Sequence, residues 1–224
     1  MLRGVGVFLI AFSAISSVPL NPPRKFIGAD SEIIRVPRNL VIKSYPAVEN
    51  YQSDLYEVIM EPYVFNSGVY SAIAMFKDCE NAIKGEVFFY QSEPPGGPVM
   101  ISGNITGLPS GKHGIHIHRS GYMREGCEKL GEHYNPYMMQ HGGPMDPLRH
   151  AGDLGNIEVT EGAERTEFTF IDPIISLVGA RSIVGRSIVI TEEMDDLGRG
   201  GTAESFTTGS TSKPIACAAI TYIR

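Results

Sequence analysis

The chain has 224 residues, of which 42% are hydrophobic and 20% charged, a composition that folds into one or two domains and is not that of a disordered chain. A formal net charge of -6 and the lack of any basic run argue against a nucleic-acid partner, because phosphate binding needs clustered Lys and Arg.

Residues 1–16 predict a secretory signal. Arg3 supplies the positive start, Val5 to Phe12 the apolar run and Ala14-Ile15-Ser16 a small-x-small cleavage site. The apolar run is shorter than the roughly 20 residues that span a bilayer, and no later run is long enough. The expectation is a secreted, extracellular protein without a membrane span. The sequon Asn104-Ile105-Thr106 would then be open to glycosylation. Residues 17–70 carry Pro19, Pro22, Pro23, Pro37, Pro46 and Pro62 with no sustained hydrophobic period. They predict an extended or partly ordered N-terminal extension with no chemistry of its own.

The main domain is expected over residues 71–224. Short runs rich in β-branched and aromatic residues follow one another there: SAIAMF, GEVFFYQ, PVMISGNITG, GIHIHR, GNIEVT, TEFTFID and RSIVIT. Turn residues separate them, which predicts an all-β sandwich or barrel. Two stretches are too long for hairpin turns, Ser120 to Asp153 and Glu192 to Pro214, and loops of that length are usually functional. Three cysteines, Cys79, Cys127 and Cys217, imply one bridge and one leftover thiol in an oxidising compartment, with three pairings open.

All six histidines fall between His113 and His150. His116 and His118 are two apart on a strand-like run, so both side chains project from one face and can reach one metal ion. An isolated H-x-H would more often be a pair of solvated or core histidines. Here His133, His141 and His150 follow in a Gly- and Pro-rich segment that ends in Asp153. Three imidazoles and a carboxylate form a closed set suited to tetrahedral zinc, and a metal tie is a source of order for so long a loop. Imidazole also suits copper, so donor type alone does not choose the metal.

Taken together, GKHGIHIH, Cys127 followed by GEHYNP, QHGGP, RHAGDLGN, DPIISLVG, GRSIVI, DDLGRGG and the closing IAC resemble the copper/zinc superoxide dismutase family over residues 74 to 222. The resemblance implies an eight-stranded antiparallel Greek-key barrel, an immunoglobulin-like sandwich, with two long functional loops. It implies copper on His116, His118 and His133, and zinc on His133, His141, His150 and Asp153, with His133 bridging the two. It makes Asp195 the carboxylate that links a copper histidine to a zinc histidine, His113 a structural residue, and Cys127 with Cys217 the disulfide. Cys79 is left as the thiol, a small apolar residue by default.

Two positions depart from the family pattern. Thr191 stands where the family has a fourth copper histidine, and its hydroxyl is a poor copper ligand. Pro214 stands where the family holds the superoxide anion with an arginine; the neighbouring Lys213 lacks the planar fork of a guanidinium. Thr207 stands near a steering lysine, and local positive charge can raise association roughly 10- to 1,000-fold. The expected protein therefore binds zinc, holds copper weakly, and dismutes superoxide weakly or not at all. The alternative is an active extracellular antioxidant enzyme with a three-histidine copper site. A copper chaperone would need a C-x-C or M-x-C-x-x-C motif, which the chain lacks. The C-terminal AAITYIR gives no reason to assume a dimer, and the oligomeric state stays open.

Overall fold

A computed structural model describes residues 68–77 and 82–223, together with the backbone of four strand segments before them. The signal expected at 1–16, most of the extension expected at 17–70, and Cys79 lie outside the described residues. β1 (Phe26–Ile27) runs antiparallel to β2 (Ile33–Ile34), and β3 (Asn39–Tyr45) forms a second two-stranded sheet with β4 (Leu55–Glu61).

The main body is all-β. Its strands are β5 (Tyr70–Phe76), β6 (Lys84–Gln91), β7 (Val99–Thr106), β8 (Gly111–His118), β9 (Asp153–Val159), β10 (Arg165–Asp172), β11 (Ser187–Thr191) and β12 (Pro214–Tyr222). They hydrogen-bond in the order β10-β7-β6-β5-β12-β11-β8-β9, and every pairing is antiparallel. The chain leaves β7 in one half of the sheet and enters β8 in the other, which gives a Greek-key path around a nearly closed barrel. The eighth strand was not among the runs read from the sequence, because its AAITY portion is short on large apolar residues and it opens with a proline. Proline is tolerated at the first position of a strand, where no ladder donor is needed.

Alternation builds the core. On β7 the side chains of Val99, Ile101 and Ile105 are buried, while Met100 and Asn104 on the other face are exposed. Gly103 lies opposite Phe168 of β10 and leaves room for its ring, which a Cβ would strike. Asn104 of the sequon is thus exposed in mid-strand. β8 breaks the alternation, since every residue from His113 to Ile117 is buried. Ile115 and Ile117 point into the barrel core, and His116 and His118 project from the opposite face, beneath the long connections.

The two long connections expected from the sequence are present at 119–152 and 192–213, and a third runs from 173 to 186. Ile174, Ile175, Leu177 and Ile183 of the third are buried in the core, so it belongs to the barrel rather than to the metal face. The first connection is fixed at two points. A disulfide joins Cys127 to Cys217 of β12 at a Cα separation of 5.7 Å. Leu130, Val189 and Cys217 form a second small apolar cluster around it. Near its end, the fully buried Arg149 pairs with Asp172 and donates to the carbonyls of His150 (3.1 Å) and Asp153 (3.0 Å).

A buried charge left without its partner is costly, so Asp172→Ala should destabilise the protein by about 3–5 kcal/mol in urea titrations. Replacing Arg149 and Asp172 together by apolar residues should cost less than that single change. The disulfide closes a loop with a sequence separation of 90. Chain entropy assigns such a loop about 4–5 kcal/mol, so Cys127→Ser should lower the urea midpoint strongly.

Candidate metal centre

β8 supplies two of the site's six side chains, and β9 supplies a third at its first residue. In the ladder His116 lies opposite Asp153, across a register shift between Gly114 and His116. The 119–152 connection adds His133, which forms an isolated bridge to His118, and then His141 and His150. Two groups of donors result. One atom from each of His133, His141, His150 and Asp153 lies within 4.8 Å of the others, and the same holds for His116, His118 and His133. His133 belongs to both.

Within the four-residue group the donors converge on one oxygen. Asp153 Oδ1 is 2.8 Å from His133 Nδ1 and 3.1 Å from both His141 Nδ1 and His150 Nδ1. Its other oxygen accepts from the backbone N–H groups of Gly142 (3.1 Å) and His150 (2.9 Å), which fixes the carboxylate. The His141 contact is not a hydrogen bond, and Nδ1 of that ring is buried without a partner. Buried imidazole nitrogens that lack hydrogen-bond partners ask for an explanation, and a cation held by three nitrogens and a carboxylate provides one. The donor set therefore fits a zinc ion.

In the three-histidine group each ring is held by one nitrogen and presents the other. His116 Nε2 is 2.9 Å from Asp195 Oδ2, and His118 Nδ1 is 2.7 Å from the carbonyl of Gly131. The opposite nitrogens, His116 Nδ1 and His118 Nε2, are buried and unpartnered. The rings of His116 and His133 stack at 4.1 Å. Asp195 also reaches His141 Nε2 at 2.8 Å, so one carboxylate ties the two groups together. Asn156 fixes Asp195, accepting from its N–H at 2.7 Å and donating to its carbonyl at 2.8 Å. Gly209, at φ 76°, must be glycine, because a Cβ there would collide with both Asp195 Oδ1 and His141 Nε2.

Burial lowers the affinity of these imidazoles for protons. It holds His116 below the usual histidine range and takes His118 and His133 down to about 4. The free nitrogens are therefore lone-pair donors at neutral pH. His141 behaves oppositely. Burial acts against its charged form, but the adjacent carboxylates of Asp153 and Asp195 prevail and raise it to about 9. Although their own burial works the other way, the histidine contacts hold Asp153 well below the carboxylate range and Asp195 down to about 2.

Thr191 projects from the same side of the sheet as His116, two residues beyond Val189, which pairs with His116. Its hydroxyl donates to the carbonyl of Glu193 (2.8 Å) and lies 3.4 Å from that of Gly114. Pro214 is its direct cross-strand partner. Lys213 is exposed and lies 3.9 Å from Glu192, so its charge is countered. Thr207 is exposed on a short helix, α1 (Ser205–Thr208), bonded to the carbonyls of Ala203 and Glu204. His113 lies apart from both groups, between the carbonyls of Thr191 and Pro109 at 2.9 Å each.

A family model described as copper/zinc superoxide dismutase matches residues 83–220. The chain belongs to the copper/zinc superoxide dismutase family. It is 46% identical over 140 residues to "Superoxide dismutase [Cu-Zn] A" of Xenopus laevis, a match covering 62% of this chain and 90% of that protein. Family membership implies copper and zinc as cofactors and superoxide as substrate, and the two histidine groups are where metals could sit. Among the described residues no helix is long and apolar enough to cross a membrane. Sequence reading did not find Arg149, Asn156 or Gly209 as supports of the site. The only available signal was their place inside RHAGDLGN and beside the DDLGRGG loop.

In metal-free protein, an NMR titration of His141 should show a midpoint near 9, and Asp195→Asn should lower it. Because the folded value is raised, the stabilisation that His141 contributes is full below the unfolded pKa of about 6.5. It is lost as pH rises through about 9.

Proposed function

We propose that this protein is a secreted member of the superoxide dismutase family that holds zinc on His133, His141, His150 and Asp153, binds copper weakly, and dismutes superoxide weakly or not at all. The observation that carries the reading is the state of Thr191. Where the family pattern has a fourth imidazole, this chain has a hydroxyl engaged with backbone carbonyls. Its cross-strand neighbour is Pro214, in place of the anion-holding arginine. Lys213 lies 3.9 Å from Glu192 and lacks the planar fork of a guanidinium, so it is a poor substitute for that arginine. The zinc assignment is supported by a complete donor set with Asp153 at its centre. Secretion is supported by the sequence of residues 1–16 and accords with the disulfide between Cys127 and Cys217.

The second reading, an active extracellular dismutase, rests on family membership and on the three histidines that remain. Superoxide decay at identical copper and zinc loading separates the two. Thr191→His should restore a four-imidazole site, with Asp195 already orienting His116. Adding Pro214→Arg should raise the rate further, within the roughly 10- to 1,000-fold that local positive charge contributes. Wild-type decay equal to that of the double mutant would establish the active-enzyme reading instead.

A further inference from the structure

We propose that His116, His118 and His133 form a second zinc position with three protein nitrogens and a fourth place taken by water or a small anion, so that the protein holds two zinc ions. The inference rests on the reading that His133, His141, His150 and Asp153 hold the first.

His116 and His118 are prepared as ligands. Asp195 accepts from His116 Nε2–H and Gly131 O from His118 Nδ1–H, which leaves the lone pairs on His116 Nδ1 and His118 Nε2. Both of those nitrogens are buried and unpartnered, and each lies with a His133 nitrogen in one compact group. Buried nitrogens oriented toward one point are accounted for by a bound cation. Copper fits the set poorly. Copper(II) favours a tetragonal array of four in-plane donors, and this group supplies three.

Thr191 does not complete the set, since it donates its proton to Glu193 O at 2.8 Å. The hydroxyl and the ring edge of His116 both border Gly114, where a Cβ would stand 2.7 Å from Thr191 Oγ1 and from His116 Cε1. Among the described residues no fourth histidine, cysteine or carboxylate joins this group. Zinc has a filled d shell and no electronic preference among geometries, and three histidines with one open position is a stable arrangement for it. Copper(II) outranks zinc in intrinsic affinity for a given nitrogen set, so discrimination here lies in the missing donor rather than in the donor type.

The test uses the full chain with its disulfide intact. Metal-free wild type is equilibrated with excess zinc, freed of loosely bound metal and assayed for zinc by elemental analysis. Two zinc ions per chain are expected, falling to one in His118→Ala and to one in His150→Ala. Circular dichroism on each variant checks the fold. In cobalt(II)-loaded wild type, thiocyanate should shift the visible spectrum by entering the fourth position, and Thr191→His should abolish that shift. Loss of an outer partner of a metal ligand already costs roughly 10- to 100-fold in affinity, so Thr191→His, which adds a ligand outright, should move the copper-to-zinc exchange ratio at least tenfold toward copper. One zinc per chain, lost in His150→Ala and unaffected by His118→Ala, overturns this proposal and leaves the first zinc site standing. No zinc at all overturns both readings. An exchange ratio that is the same in wild type and Thr191→His overturns the role given to the missing donor.

Discussion

The metal centre depends on one strand that is buried on both faces. In β8 the alternation of side chains sends Ile115 and Ile117 into the barrel and His116 and His118 out of it. The 119–152 and 192–213 connections cover most of the outward face, burying His116 and leaving His118 half-buried. Imidazoles in such a place are unfavourable unless every ring nitrogen has a task. Asp195 and Gly131 O supply half of those tasks, and a bound metal would supply the remainder.

The covering loops cannot hold themselves, because they contain almost no regular structure. Their order comes from a few strong ties: the Cys127–Cys217 bridge, the Arg149–Asp172 pair and the two carboxylates Asp153 and Asp195. Arg149 connects two of these levels. It neutralises a buried carboxylate of the barrel, and it also donates to the carbonyls of His150 and Asp153, two residues of the metal group. Packing of the barrel and geometry of the site are therefore linked through one side chain.

Much of this was legible in the sequence for physical reasons. A period of two residues marks a strand, so the positions of β5 to β11 could be read locally, and an H-x-H on such a run fixes both rings to one face. The grouping of His133, His141 and His150 with Asp153 was legible because all lie in one loop. Contacts between distant residues were not. Asn156 gripping Asp195, Gly209 making way for the Asp195–His141 bond, and Arg149 reaching Asp172 each join segments that only the folded chain brings together. β12 escaped for a different reason, since its small residues and leading proline give a weak strand signal even though it lies in the middle of the sheet.

Thr191 and Pro214 face each other across the β11–β12 ladder. The two positions that set this chain apart from the family pattern are therefore one physical unit, although 22 residues of sequence separate them. Cross-strand neighbours share volume, backbone pairing and local field, so their substitutions should show epistasis: the effect of one depends on the identity of the other. A metal donor at 191 gains from a neighbour that can hold a substrate beside it. On the proposed reading an anion holder at 214 would have only a weakly held copper to serve while 191 is a threonine. On the proposed reading each residue relaxes the constraint on the other, and the pair would act as a latch on the chain's chemical role while the barrel, the carboxylates and five of the site's histidines remain in place.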